Sequence, residues 1–184
     1  MKKLLVAALA SLAAACSSVP EKRPGAYYKD DGPGTKPPPN LASIPDAVPR
    51  VEPLNRFANK PYNALGKDYV PFTSVRPFSQ RGLASWYGKR FHGQKTSSGE
   101  LYDMYAMTAA HPLLPIPSYA RVTNVANRKS VVVRINDRGP FHAGRVIDLS
   151  WAAAAKLGYV ERGSAEVEVE AIVPGDARQA AATR

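Results

Sequence analysis

Apolar and polar positions alternate in several stretches of this chain, and the alternation predicts strands. Residues 165–172 (AEVEVEAI) alternate strictly, with Ala165, Val167, Val169 and Ala171 on one face and Glu166, Glu168 and Glu170 on the other. Residues 119–125 (YARVTNV) alternate in the same way. Residues 130–136 (SVVVRIN) form a β-branched run of the kind found in a buried strand, and Asn127, Arg128 and Lys129 supply the turn between these two. Residues 83–87 (LASWY) predict a first strand. One helix is expected, with Ser150 as N-cap, residues 151–157 as body and Gly158 as stop. A helix this short has no stability of its own and must pack on the sheet. Five or six short strands and one small helix between residues 80 and 173 predict a mainly β fold, a small closed barrel.

The rest of the chain reads differently. Lys2 and Lys3 precede an apolar run at 4–15, too short to span a bilayer and typical of a secretory signal. The single cysteine, Cys16, follows Ala13, Ala14 and Ala15 directly. This resembles a bacterial lipobox, with Ala13 where Leu is usual, so Cys16 is expected to be lipidated and to anchor the chain to a membrane. Ser17 after it points to the periplasmic face of the outer membrane. Twelve of the 17 prolines lie between Pro20 and Pro77. Residues 16–53 are expected to be a disordered Pro/Gly-rich linker, able to reach roughly 100 Å at ~3 Å per residue. Residues 54–79 carry too many apolar groups for a free linker, among them Phe57, Tyr62, Leu65, Tyr69 and Phe72, and are expected to pack on the domain as an arm or hairpin. Residues 174–184 are expected to be a disordered tail.

Charge narrows the partners. The full chain carries +10, and loss of residues 1–15 leaves +8. A basic exported protein favours cell-wall polymer or anionic headgroups over nucleic acid. One cysteine and three histidines give no basis for a disulfide framework or a metal site, and no cofactor motif is present. Carboxylates are the remaining chemistry. The Glu stripe of 165–172 is explained by its alternation, and Asp148 by an ion pair with Arg145 or a place beside the helix cap. Glu100 ends a polar loop at 96–100 (TSSGE), and Asp137 stands at the end of a buried strand before Arg138-Gly139-Pro140. His111 is the imidazole that can join them. Trp86, Tyr87, Phe91, Tyr102 and Phe141 are candidates to stack on sugar rings, with His92 and Arg138 beside them.

Taken together, the runs at 82–88 (GLASWYG), 91–93 (FHG), 96–100 (TSSGE), 107–111 (MTAAH), 131–141 (VVVRINDRGPF) and 145–150 (RVIDLS) closely resemble the rare lipoprotein A (RlpA) family of bacterial envelope proteins. Residues 44–53 (IPDAVPRVEP) resemble the stretch many members carry before the domain. The resemblance implies a six-stranded double-psi β-barrel with one or two short helices, a fold shared with expansins. It implies a monomeric lytic transglycosylase that cuts peptidoglycan glycan strands between N-acetylmuramic acid and N-acetylglucosamine, leaves a 1,6-anhydro end and prefers strands without stem peptides. Glu100, Asp137 and His111 would be its catalytic residues. Many members end in a glycan-binding SPOR domain, which this sequence does not continue into, so septal targeting by that module is not expected.

The mechanism expected from these residues gives Asp137 the proton donor's role, returning later as base, with Glu100 supplying the negative charge that keeps it protonated. Arg138 must then point away from Asp137. A second reading remains open from the sequence: a non-catalytic, expansin-like domain that binds glycan without cutting it.

Overall fold

The computed structural model describes residues 31–32 and 38–175. The signal segment, Cys16, most of the early linker and residues 176–184 lie outside the described residues.

A small two-stranded hairpin, β1 (Tyr62–Ala64) and β2 (Lys67–Tyr69), precedes the barrel strands. These are β3 (Ser79–Tyr87), β4 (Thr108–Ala110), β5 (Ser118–Asn124), β6 (Ser130–Asp137), β7 (Arg145–Ser150) and β8 (Ala165–Ile172). They close in the order β3-β7-β4-β6-β5-β8, with β3–β7 and β4–β6 parallel and the other pairs antiparallel. The fold is mainly β, a six-stranded closed mixed barrel with one short helix. Helix α1 (Trp151–Leu157) is capped as its sequence predicts: Ser150 Oγ accepts from Ala153 N at 3.2 Å, and Gly158 takes the left-handed conformation at φ 76°.

Alternation sets the two faces of the wall. Ala84, Trp86, Ala109, Val131, Val133, Ile135, Ile147 and Leu149 join one hydrophobic core. Two irregularities then change which side chains face out. β4 pairs Ala109 with Ile135 but Ala110 with Asp137, skipping Asn136. β3 pairs Leu83 with Arg145 but Ala84 with Ile147, skipping Val146. A bulge of this kind re-aims the side chains beyond it. Without the first, Asp137 would share the inward parity of Ile135.

Residues 38–53 are not the free chain their composition predicts. Leu41–Ser43 forms a single 3-10 turn. Ala47 N donates to Val132 O at 3.0 Å, and Val132 N donates to Asp46 Oδ2 at 2.8 Å. β4 is too short to reach Val132, so that stretch of β6 has open backbone groups, and residues 46–47 pair with them. Lys156 Nζ adds a bond to Asp46 Oδ1 at 2.6 Å. Asp31 is docked as well, its carboxylate accepting from Gly88 N at 2.9 Å and Arg90 N at 3.0 Å. A Cβ on Gly88 would stand 2.3 Å from Gly32 O, so this docking requires glycine there. Composition misjudges these segments because polar anchoring to a barrel edge needs little apolar surface.

The arm at 54–79 lies against the 111–117 connection. Asn55 N donates to Ile116 O, Phe72 N to Leu113 O, and Tyr62 Oη to Pro112 O.

Candidate active site

The bulges bring four side chains of four adjacent strands into one transverse row on the face opposite the core. Ser85 on β3 pairs with Asp148 on β7, Asp148 with Ala110 on β4, and Ala110 with Asp137 on β6. All four line a groove of about 710 Å³, within the ~300–1,000 Å³ common for ligand sites. Leu65 of the hairpin turn, Tyr87, Phe91 and Phe141 complete its walls.

Asp137 is held firmly. Its Oδ1 accepts from Ser97 N at 2.8 Å, Ser97 Oγ at 2.6 Å and Arg138 N at 2.7 Å. Among the described residues these three bonds leave Oδ2 as the oxygen without a donor. Gly139, at φ 132°, allows the chain to turn sharply straight after this strand end.

Glu100 does not line this groove. Its carboxylate accepts two bonds from Arg134 Nη1, at 2.9 and 2.8 Å, and one from Asn136 Nδ2 at 3.0 Å. Arg134 is shared with Glu52 through Nε at 2.9 Å and Nη2 at 3.0 Å, and Tyr119 also donates to Glu52. The Arg134 bonds hold the Glu52 carboxyl down at about 2 against the opposing effect of burial. The negative charge expected to act on Asp137 is instead engaged by the Arg134 guanidinium, which Glu100 shares with Glu52. What Glu100 does is tie down the loop whose Ser97 grips Asp137.

His111 is fully buried, at 0% exposure, and cannot touch a sugar. Its Nδ1 accepts from Leu113 N at 3.1 Å and Leu114 N at 2.9 Å. Burial, helped by the Arg138 charge, pushes the imidazole down to about 3, so it is neutral at physiological pH. It shapes the turn after β4, and its backbone N donates to Asp137 O at 3.1 Å.

Arg138 points away from the carboxylate of Asp137. Its Nε donates to Ala58 O, its Nη1 to His111 O and Leu114 O, and its Nη2 to Asn59 Oδ1, all at 2.6–3.0 Å. With those donors committed to protein, its part is to tie the arm to the barrel rather than to grip substrate.

The aromatic candidates divide. Trp86 and Tyr102 are each only 3% exposed and pack in the core; Trp86 also contributes to the groove lining, but so deeply buried that it offers no open ring face, and Tyr102 lies outside the groove. Tyr102 stacks behind Tyr87 at 4.1 Å and donates its hydroxyl to Tyr87 O. His92 lies outside the groove, beside Asp103 at 3.6 Å, with its Nδ1 accepting from Met104 N. Tyr87, Phe91 and Phe141 remain at the groove, and Phe141 packs edge-on to Tyr62 at 6.0 Å.

For Asp148 the sequence offers an ion pair with Arg145 or a place beside the helix cap, and Arg145 Nη2 lies 3.3 Å from its Oδ2. Its Oδ1, however, is buried with no hydrogen-bond partner among the described residues. Burial pushes this carboxyl up to about 6 against the pull of Arg145, and the Asp137 charge adds to the rise. Nothing local in residues 145–150 reveals this, because the second acid reaches it through Ala110, which is distant along the chain.

A closed six-stranded barrel with a carboxyl-bearing groove on its wall defines a double-psi β-barrel domain, and residues 79–169 match the family described as Lytic transglycolase. The chain is 62% identical over 130 residues to "Endolytic peptidoglycan transglycosylase RlpA" of Neisseria meningitidis serogroup A, covering 71% of this chain and 54% of that protein. It is 54% identical over 162 residues to the protein of the same name from Vibrio cholerae, covering 86% of this chain and 59% of that one. Among solved structures, Streptomyces papain inhibitor aligns at 20% identity with a TM-score of 0.42, over 52% of this chain and 96% of its own. The chain belongs to the RlpA family. It spans a little over half the length of these curated relatives.

Proposed function

We infer that this protein is a lytic transglycosylase of peptidoglycan. The single observation that carries the reading is Asp137, clamped through one oxygen by three donors and set in a groove of sugar-binding size. The substrate is the glycan strand, cut between N-acetylmuramic acid and N-acetylglucosamine. The C6 hydroxyl of the muramyl unit attacks its own C1, so the product ends in a 1,6-anhydro ring and no water is consumed. Asp137 takes the hydroxyl proton through Oδ2. Tyr87, Phe91 and Phe141 supply apolar surface for the sugar rings. The preferred substrate is a strand stripped of stem peptides. A lipid on Cys16 would hold the domain at the periplasmic face of the outer membrane.

Mass spectrometry of purified sacculi after incubation tests this directly. New anhydro ends from the wild type, reduced at least about a hundredfold by Asp137→Asn, are expected. Retention of the wild type on sacculi with no new ends would instead make this a glycan-binding domain and end the enzymatic reading.

A further inference from the structure

We propose that Asp148 is a second catalytic carboxyl of this groove, the proton donor to the departing sugar oxygen, facing Asp137 as the proton acceptor. This rests on the lytic transglycosylase reading above and assigns the acid that it lacks.

The geometry comes first. Asp148 and Asp137 flank Ala110 in the same transverse row. Two strand spacings put their Cα atoms ~10 Å apart. Ala110 has only a methyl group between them, which leaves space for a reacting bond. Both line the groove. Carboxyls on either side of a scissile linkage are the general arrangement for splitting acid from base work in glycosidic cleavage.

The two environments are opposite in kind. Asp137 Oδ1 receives three donors, whereas Asp148 Oδ1 is buried and receives none from the described residues. A buried carboxyl oxygen without a donor is costly as an anion and acceptable as O–H. The titratable and charged groups acting on it are Arg145 on its own strand, Asp137 on β6, Tyr87 on β3, and Tyr159 beyond the helix. Arg145 alone favours the anion, and burial outweighs it, so the carboxyl sits up at about 6. A carboxyl whose environment favours the protonated form, facing another across a groove, is suited to the acid's part in such a pair.

The step balances. The C6 oxygen forms a bond to C1 as the bond from C1 to the bridging O4 breaks. The electron pair of that bond goes to O4, which takes the proton from Asp148. The C6 hydroxyl proton passes to Asp137. Both sugar products are neutral. The enzyme is left with Asp137 protonated and Asp148 ionised, and transfer of one proton between them through solvent restores the starting state.

Leaving-group dependence tests the assignment. Wild type, Asp148→Asn and Asp137→Asn are assayed on glycan strands and on a muramyl glycoside with a 4-nitrophenyl leaving group, which departs without protonation. Asp148→Asn should lose at least about a hundredfold on glycan and less than about tenfold on the aryl glycoside. Asp137→Asn should lose heavily on both. Full glycan activity in folded Asp148→Asn, or equal loss on both substrates, overturns the proposal while leaving the transglycosylase reading standing. A wild type that forms no anhydro product overturns that reading, and this proposal with it. A 13C carboxyl titration of the wild-type protein decides the matter should Asp148→Asn not fold. Titration of Asp148 near 6 is expected, and titration in the ordinary carboxylate range overturns the assignment.

Discussion

Asp137 and Asp148 stand in one transverse row of the barrel wall, separated by Ala110. They lie eleven positions apart in the chain and on strands that do not pair with each other. Their relationship depends on two bulges, one skipping Asn136 and one skipping Val146, that turn both carboxyls to the same face. Removing either bulge would send an acid toward the core and dismantle the site without touching a single side chain in it.

The grip on Asp137 should show in catalysis before it shows in stability. Ser97→Ala deletes the 2.6 Å hydroxyl bond to Oδ1 and leaves the backbone bond from Ser97 N. A bond to a charged group contributes roughly 1.5–3 kcal/mol. A fall in kcat of about tenfold with little change in KM is expected in a steady-state assay of anhydro-glycan release. Glu100→Gln keeps the carboxamide oxygen for Arg134 and Asn136, and Glu100 is outside the groove. A loss of less than about tenfold is expected there, and a loss equal to that of Asp137→Asn would return Glu100 to the chemistry.

Arg138 is the bolt between arm and barrel. Its guanidinium bonds Ala58 O, His111 O, Leu114 O and Asn59 Oδ1. Burial lowers it to about 10, still charged at neutral pH. Lysine cannot reproduce the planar fork. Arg138→Lys should cost about 3 kcal/mol in denaturant unfolding by leaving carbonyls unpaired. Amide exchange should quicken across 54–79 more than across β5, β6 and β8, and an unchanged arm would contradict this role.

His111 makes the fold sensitive to acid. Its folded pKa of about 3 lies below the unfolded value of about 6.5, so the unfolded chain binds the extra proton first. Stability from this group is complete above pH 6.5 and is lost as pH falls toward 3. His111→Asn retains an acceptor for Leu113 N and Leu114 N and does not titrate. The stability of wild type relative to this variant should fall by about 3 kcal/mol between pH 7 and pH 4. A constant difference across that range would mean that the ring titrates in the fold as it does in the unfolded chain.

Asp148 has the opposite sign. Its folded pKa of about 6 exceeds the ordinary carboxylate value of 3.8, so the folded chain binds the proton first. Its contribution is fully present below pH 3.8 and is lost as pH rises through 6. Asp148→Asn should therefore gain on wild type by about 2 kcal/mol between pH 4 and pH 7, measured by urea unfolding at each pH. A flat difference would place Asp148 in an environment like water.

Local pattern carried much of the architecture. The strict alternation of Ala165–Ile172 and the Ser150 and Gly158 caps of α1 appear where the sequence predicts them. β4 escaped notice because three residues carry no period, and β7 because its bulge breaks the alternation. The docking of Asp46 and Asp31 escaped notice because composition records apolar content, not which backbone groups a barrel edge leaves open. Asp137 was legible as an acid at a strand end before Gly139 and Pro140. The burial of Trp86, Tyr102 and His111 was not, since a side chain's exposure depends on what other elements lay over it.

Residue order alone thus determined four of the six barrel strands, the capped helix, the family and one acid of the groove, because each is written in neighbours along the chain. Only the closed barrel decided which carboxyl faces Asp137 and which is engaged elsewhere: Arg134 takes Glu100, and burial beside Ala110 keeps Asp148 reluctant to ionise. Charge and desolvation act through space, and the distances that set them exist only once the strands have paired.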